Sequence, residues 1–156
     1  FLYCYYKIMI RKRITRNEHK MISHLKNTDI IPEISKLEYS YVTMEKYPMT
    51  LGEYIESNDI KSLDEILTFK NLIDEQIEKL HSIGIFHGDL HTSNIVLNPE
   101  TNDVRIIDFG ESRFIDDLNA DDIDYFNEFL DPTNKFENIY DMLEYETTNW
   151  IHDYFD

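Results

Sequence analysis

Two short polar loops on either side of a predicted hairpin constrain this chain more than any other feature. Strand-forming runs are expected near 95–98 and 104–107, and Asn98-Pro99-Glu100-Thr101-Asn102-Asp103 between them is rich in turn formers. A hairpin here folds the chain back. The loop before its first strand, His87-Gly88-Asp89-Leu90-His91-Thr92-Ser93-Asn94, then lies beside the loop after its second strand, Asp108-Phe109-Gly110. Upstream, Leu63, Ile66, Leu67, Ile73, Ile77 and Leu80 recur at helical spacing and predict a helix over 62–83. Gly84 stands where a helix C-terminus favours a left-handed residue.

The side chains gathered in this way suit phosphoryl transfer, in which a protein must orient a hydroxyl and hold magnesium against phosphates. A carboxylate facing the acceptor oxygen does the first. A second carboxylate and an amide oxygen do the second, because magnesium prefers hard oxygen ligands. Asp89, Asp108 and Asn94 supply those groups. Singly, each has a plainer reading: Asp89 as a cap, and Asp108-Phe109-Gly110 as a strand-end turn.

Elsewhere the pattern predicts a strand over 3–10 and a helix over 15–27 with Thr15 and Glu18 at capping-box spacing. Further on it predicts a strand over 39–45, a short helix from about Thr50, and helices near 121–130 and 136–154. The single cysteine, Cys4, allows no internal disulfide, and a reducing, cytoplasmic setting is expected. No apolar run reaches the length of a membrane span, so no membrane partner is expected. The net charge of −16 is uneven: residues 1–20 carry six basic residues and one acid, while residues 111–156 carry fourteen acidic and two basic ones. Such a surface repels nucleic-acid phosphates and would attract basic partners, although charge runs are usually solvated faces. The histidines at 19, 24, 81 and 152 show no metal-ligand spacing.

His-x-Asp-x-x-x-x-Asn followed by Asp-Phe-Gly resembles the catalytic-loop and metal-loop pair of protein kinases. The resemblance implies that Asp89 is the catalytic base, that Asn94 and Asp108 are magnesium ligands, and that His87 braces the loop. Val42-Thr43-Met44-Glu45-Lys46-Tyr47 looks like the kinase hinge, with Met44 as gatekeeper and the backbone of Glu45 and Tyr47 facing adenine. Asp124 resembles the buried Asp that steadies the catalytic loop from a later helix. Lys7 and Glu18 resemble the strand Lys and helix Glu that steady the phosphates; the plainer readings are a surface lysine and a capping-box acid. His-Gly-Asp-Leu-His departs from the usual His-Arg-Asp-Leu-Lys. No Ala-Pro-Glu follows Gly110, and too few residues precede Asp121 for a long activation segment. In this the chain is similar to compact atypical kinases: the KEOPS-complex kinase, the RIO kinases, and the aminoglycoside and choline phosphotransferases. Arg16-x-Glu18 followed by Ile30-Ile31-Pro32 is similar to the KEOPS-complex kinase in particular.

The expectation is one α+β, protein-kinase-like domain over 1–156: a reduced front lobe and hinge over 1–47, lacking its first two strands, and a mostly helical lobe over 48–156. No glycine precedes Gly52, so the phosphate-covering Gly-rich loop is missing from this front. The implied activity is transfer of the ATP γ-phosphate, with magnesium, to Ser or Thr of a protein substrate. The rival enzyme is a small-molecule kinase of the aminoglycoside or choline type. The rival without chemistry is a truncated or pseudokinase binding module.

Overall fold

The computed structural model describes residues 7–57, 61–129 and 136–148. Of the predicted elements, the start of the 3–10 strand, with Cys4, and the end of the last helix, with His152, lie outside them.

Strand β1 (Met9–Arg13) leads into helix α1 (Arg16–Leu25). Thr15 caps α1 in a full capping box: its side chain accepts the Glu18 N–H, and the Glu18 carboxylate accepts the Thr15 N–H. Met21, Ile22 and Leu25 are buried along one face of α1. Strands β2 (Ile34–Leu37) and β3 (Tyr41–Glu45) complete an antiparallel sheet of order β1-β3-β2. β3 alternates buried and half-buried residues, as expected of a central strand with one face on the core. A short strand β4 (Met49–Thr50) and helix α2 (Leu51–Glu56) follow, the latter capped by Thr50.

Helix α3 (Leu63–Ile83) is the longest element. It buries Phe69, Ile73, Ile77 and Leu80 and ends at Gly84, whose φ of 95° is left-handed. A side chain at this position would meet nothing within 4 Å, so the backbone angle alone favours glycine.

The site is framed by two antiparallel ladders. Strand β5 (Ile85–Phe86) pairs with β8 (Arg113–Phe114), and β6 (Ile95–Asn98) pairs with β7 (Asp103–Ile106). The chain runs β5, loop 87–94, β6, hairpin, β7, loop 107–112, β8. Each loop therefore leaves one ladder and enters the other, which holds them side by side. Helices α4 (Ala120–Phe129) and α5 (Ile139–Thr148) follow.

One apolar cluster joins the front sheet, α1, α3 and the hairpin, bringing Ile22, Ile31, Met44, Ile77, Ile106 and Phe109 together. A second gathers Phe86, Leu118, Phe126, Phe136 and Met142 beneath the β5–β8 ladder. Polar ties reinforce the first. The Ile106 N–H donates to Ile30 O at 2.8 Å. The buried Gln76 amide of α3 donates to Asp29 O at 2.6 Å and Val104 O at 2.7 Å.

Candidate active site

His87 is fully buried and stacks at a tilt on Phe109, with ring centroids 4.9 Å apart. Its Nε2 lies 2.8 Å from Ile107 O, and its Nδ1 accepts the Asp89 N–H at 3.2 Å. A nitrogen that meets a carbonyl carries the proton and one that meets an N–H does not, so the ring is the neutral Nε2–H tautomer. Burial pushes its pKa below the usual histidine value. His87 thus spans both loops through Asp89 and Ile107.

Asn94 is buried, and its Nδ2 donates to Asp89 O at 2.8 Å. With the Asp89 backbone held at both ends, its carboxylate projects into solvent, side chain 54% exposed. Nearby, His91 Nδ1 accepts the Ser93 N–H at 3.2 Å, and its Nε2 lies 3.8 Å from Asp89 Oδ2.

On the facing loop, the Ile107 N–H donates to Asn94 O at 2.9 Å, so the backbones of the two loops are bonded directly just before Asp108. Asp108 has φ 63°, a left-handed conformation that Asp tolerates better than most residues and that recurs at functional sites. Its carboxylate is ion-paired with Lys12. The donor set fits magnesium: Asp108 offers a carboxylate. Asn94 Nδ2 donates to Asp89 O, and its Oδ1 accepts no hydrogen bond from the described residues. No cluster of three or more His, Cys, Asp or Glu residues forms a metal site among the described residues. The chain therefore supplies two hard oxygens, and water and phosphate would supply the rest, which is magnesium's usual habit.

The expected Lys7–Glu18 pair does not form. Lys7 is exposed and pairs with Glu33, with Glu45 at 4.0 Å. Strand geometry explains this: an extended chain rises about 3.3 Å per residue, putting Lys7 roughly 16 Å back from Lys12 at the hinge end of β1, whereas α1 starts at the other end. Lys12, not Lys7, is the β1 lysine that meets Asp108. Glu18 is half-buried and lines the same narrow cavity as Lys12. Burial raises its pKa, and Lys12 opposes that rise. Glu18 also lies against the metal loop, since a Cβ on Gly110 would sit 3.7 Å from its carboxylate oxygen. Cap and site acid are thus the same residue. Lys12 was hidden in the sequence by Arg11 and Arg13; its closeness to the Thr15 cap was the signal available.

At the expected hinge, Met44 is buried and bounds a narrow cavity with Ile34, Lys12, Glu18, Ile107 and Asp108. The Glu45 N–H is used by Glu33 O at 2.9 Å, within the sheet. The Tyr47 side chain turns away: its hydroxyl donates to Asp103 Oδ2 at 2.6 Å, and burial raises its pKa. Among the described residues the Tyr47 N–H donates to no backbone carbonyl, so it is available at the hinge.

Asp124 does not brace the catalytic loop. It is exposed on α4. The brace is Glu146 of α5, which is 4% exposed. Its carboxylate accepts the His87 N–H at 2.8 Å and the Gly88 N–H at 2.9 Å, and meets His81 Nε2 at 2.8 Å. In the sequence it was one acid among fourteen. Gly88 is required here twice over: its φ is 86°, and a Cβ would lie 2.4 Å from Glu111 O.

A front sheet, a helix-borne acid beside a strand lysine, and paired loops carrying Asp89, Asn94 and Asp108 define a protein-kinase-like domain. The protein kinase domain model matches residues 6–133, and the chain belongs to that family. Among curated proteins, it is 32% identical over 123 residues to KEOPS complex subunit Bud32 of Pyrococcus abyssi, covering 75% of this chain and 53% of that protein. It is 31% identical over 107 residues to mitogen-activated protein kinase 13 of Arabidopsis thaliana, covering 64% of this chain and 29% of that protein. With protein kinase MCK1 of Saccharomyces cerevisiae it shares 32% identity over 90 residues, 55% of this chain and 24% of the other. The chain thus spans about half the length of the archaeal relative. Protein kinases in general use ATP and magnesium.

Proposed function

We propose that this chain is the catalytic part of an ATP-dependent serine/threonine protein kinase, a single domain with the hinge near residue 47. The observation that carries the reading is the pair of carboxylates on two bonded loops: Asp89, more than half exposed, and Asp108, ion-paired with Lys12 on the loop whose backbone is bonded to Asn94. Magnesium bound with ATP would offset the charge of the phosphates.

The chain's own residues do the rest. Asn94 and Asp108 would hold the ion. Lys12, steadied by Glu18, supplies a positive charge beside the phosphates. The hinge backbone at Glu45 and Tyr47 receives the adenine edge next to Met44. Asp89 orients the acceptor hydroxyl and accepts its proton as the oxygen attacks. His87, neutral and buried, keeps both loops in register. The acceptor is a protein Ser or Thr, in keeping with the mitogen-activated kinase relatives. The acidic residues after Gly110 favour basic sequences around it. Membership of a multi-subunit complex is proposed from the likeness to KEOPS complex subunit Bud32. Among the described residues no helix is long and apolar enough to cross a membrane.

Calorimetric titration with ATP, with and without magnesium, tests the site. Magnesium-dependent binding that Asp108→Ala abolishes is expected. Metal-independent binding, or none at millimolar ATP, would overturn the reading in favour of a binding module without chemistry.

A further inference from the structure

The first turn of α1 carries a residue that the reaction scheme above leaves unused. Asn17 precedes Glu18, and its Nδ2 reaches across to the loop after Asp108. It lies 3.0 Å from Gly110 O, 3.0 Å from Ser112 O and 3.4 Å from Phe109 O. An amide nitrogen has two hydrogens, so two carbonyls are served well and the third shares. Three carbonyl dipoles converging on one point repel each other unless a donor sits there.

Arg113 Nη1 donates to Glu111 O at 3.1 Å and to Ser112 O at 3.2 Å, and further anchors hold the loop's edges. Ile107 O is held by His87, and Ser112 Oγ donates to His87 O at 2.7 Å. Between them, the Ser112 N–H reaches Phe109 O at 3.2 Å. The Gly110 carbonyl meets Asn17. One capped helical turn therefore presents two adjacent groups, the Glu18 carboxylate toward Lys12 and the Asn17 amide toward the loop behind Asp108.

We infer that Asn17 is a positioning residue that locks α1 to the metal loop and so fixes Asp108 in its left-handed, metal-ready conformation. The inference rests on the reading of Asp108 as a magnesium ligand.

Asn17→Asp separates this role from a merely structural one. Aspartate near a helix N-terminus is favourable for the helix, but here it removes the N–H donors and aims a carboxylate at three carbonyls. The test measures amide hydrogen exchange in the nucleotide-free protein, thermal midpoints, and magnesium affinity in the presence of ATP, for wild type, Asn17→Asp and Asn17→Ala. Exchange over 109–113 should accelerate about tenfold in both variants, the size expected for losing one to two hydrogen bonds, with α3 unchanged and the thermal midpoint nearly so. Magnesium affinity should fall by a similar factor. Loop exchange equal to wild type, or a rise spread evenly over the whole molecule, would overturn the inference. If wild type shows no magnesium-dependent binding, the functional reading fails and takes the metal half of this inference with it; loop exchange still decides whether Asn17 holds the loop.

Discussion

His87 shows how much a single residue can carry in this site. Both ring nitrogens are spoken for, one as donor and one as acceptor, so a second proton would break the contact with the Asp89 N–H. Burial lowers its folded-state pKa, so near and below the unfolded value of 6.5 the unfolded chain binds a proton that the folded chain refuses. Its contribution to stability is complete above that value and is lost as pH falls through it. Thermal midpoints of wild type should therefore drop between neutral pH and about 5.5 more steeply than those of His87→Asn; parallel curves would contradict this. Next to it, Gly88→Ala must displace the Glu111 carbonyl and occupy a left-handed angle. We expect a cost of about 2–4 kcal/mol by chemical denaturation, against under about 1 kcal/mol if the backbone can yield. The residues of the two loops were legible from the sequence because their order and spacing are set by a hairpin. Lys12 was not, because three basic residues in a row give no sign of which faces the cleft.

Among the elements, α5 does work that its composition conceals. Glu146→Ala would leave the His87 and Gly88 N–H groups without their acceptor, at a cost of about 3 kcal/mol. The variant should unfold at correspondingly lower denaturant, whereas an unchanged midpoint would show the brace to be dispensable. Asp124→Ala, on an exposed position of α4, should stay within about 0.5 kcal/mol of wild type. The long helix α3 was readable from its periodicity and Gly84. Strands β4, β5 and β8 have two residues each and carry no period of their own; β2, with a register shift between Ile34 and Lys36, blurs the alternation that marks a strand. These elements exist because partners elsewhere in the chain pair with them, and pairing is a tertiary fact. The acid that braces the loop was misplaced for the same reason: nothing local distinguishes Glu146 from its thirteen acidic neighbours.

At the scale of the whole molecule, the front sheet and the hairpin share one apolar cluster and are tied by Ile30, Asp29 and Gln76, so α1 is held near the loops from both ends. This arrangement lets a strand lysine, a helix acid and two loops from distant parts of the chain converge on one place. The central claim is that this place transfers phosphate with Asp89 as base. The most direct measurement is transfer of label from γ-labelled ATP, with magnesium, to a basic protein substrate, compared with transfer to aminoglycosides and choline, for wild type and Asp89→Asn. Asparagine keeps the shape and removes the basicity, so label should appear on Ser or Thr with wild type. With the variant it should fall about 10²–10⁴-fold while ATP affinity is unchanged. Label on the small molecules alone would contradict the protein-kinase reading, and transfer undiminished in Asp89→Asn would contradict the mechanism.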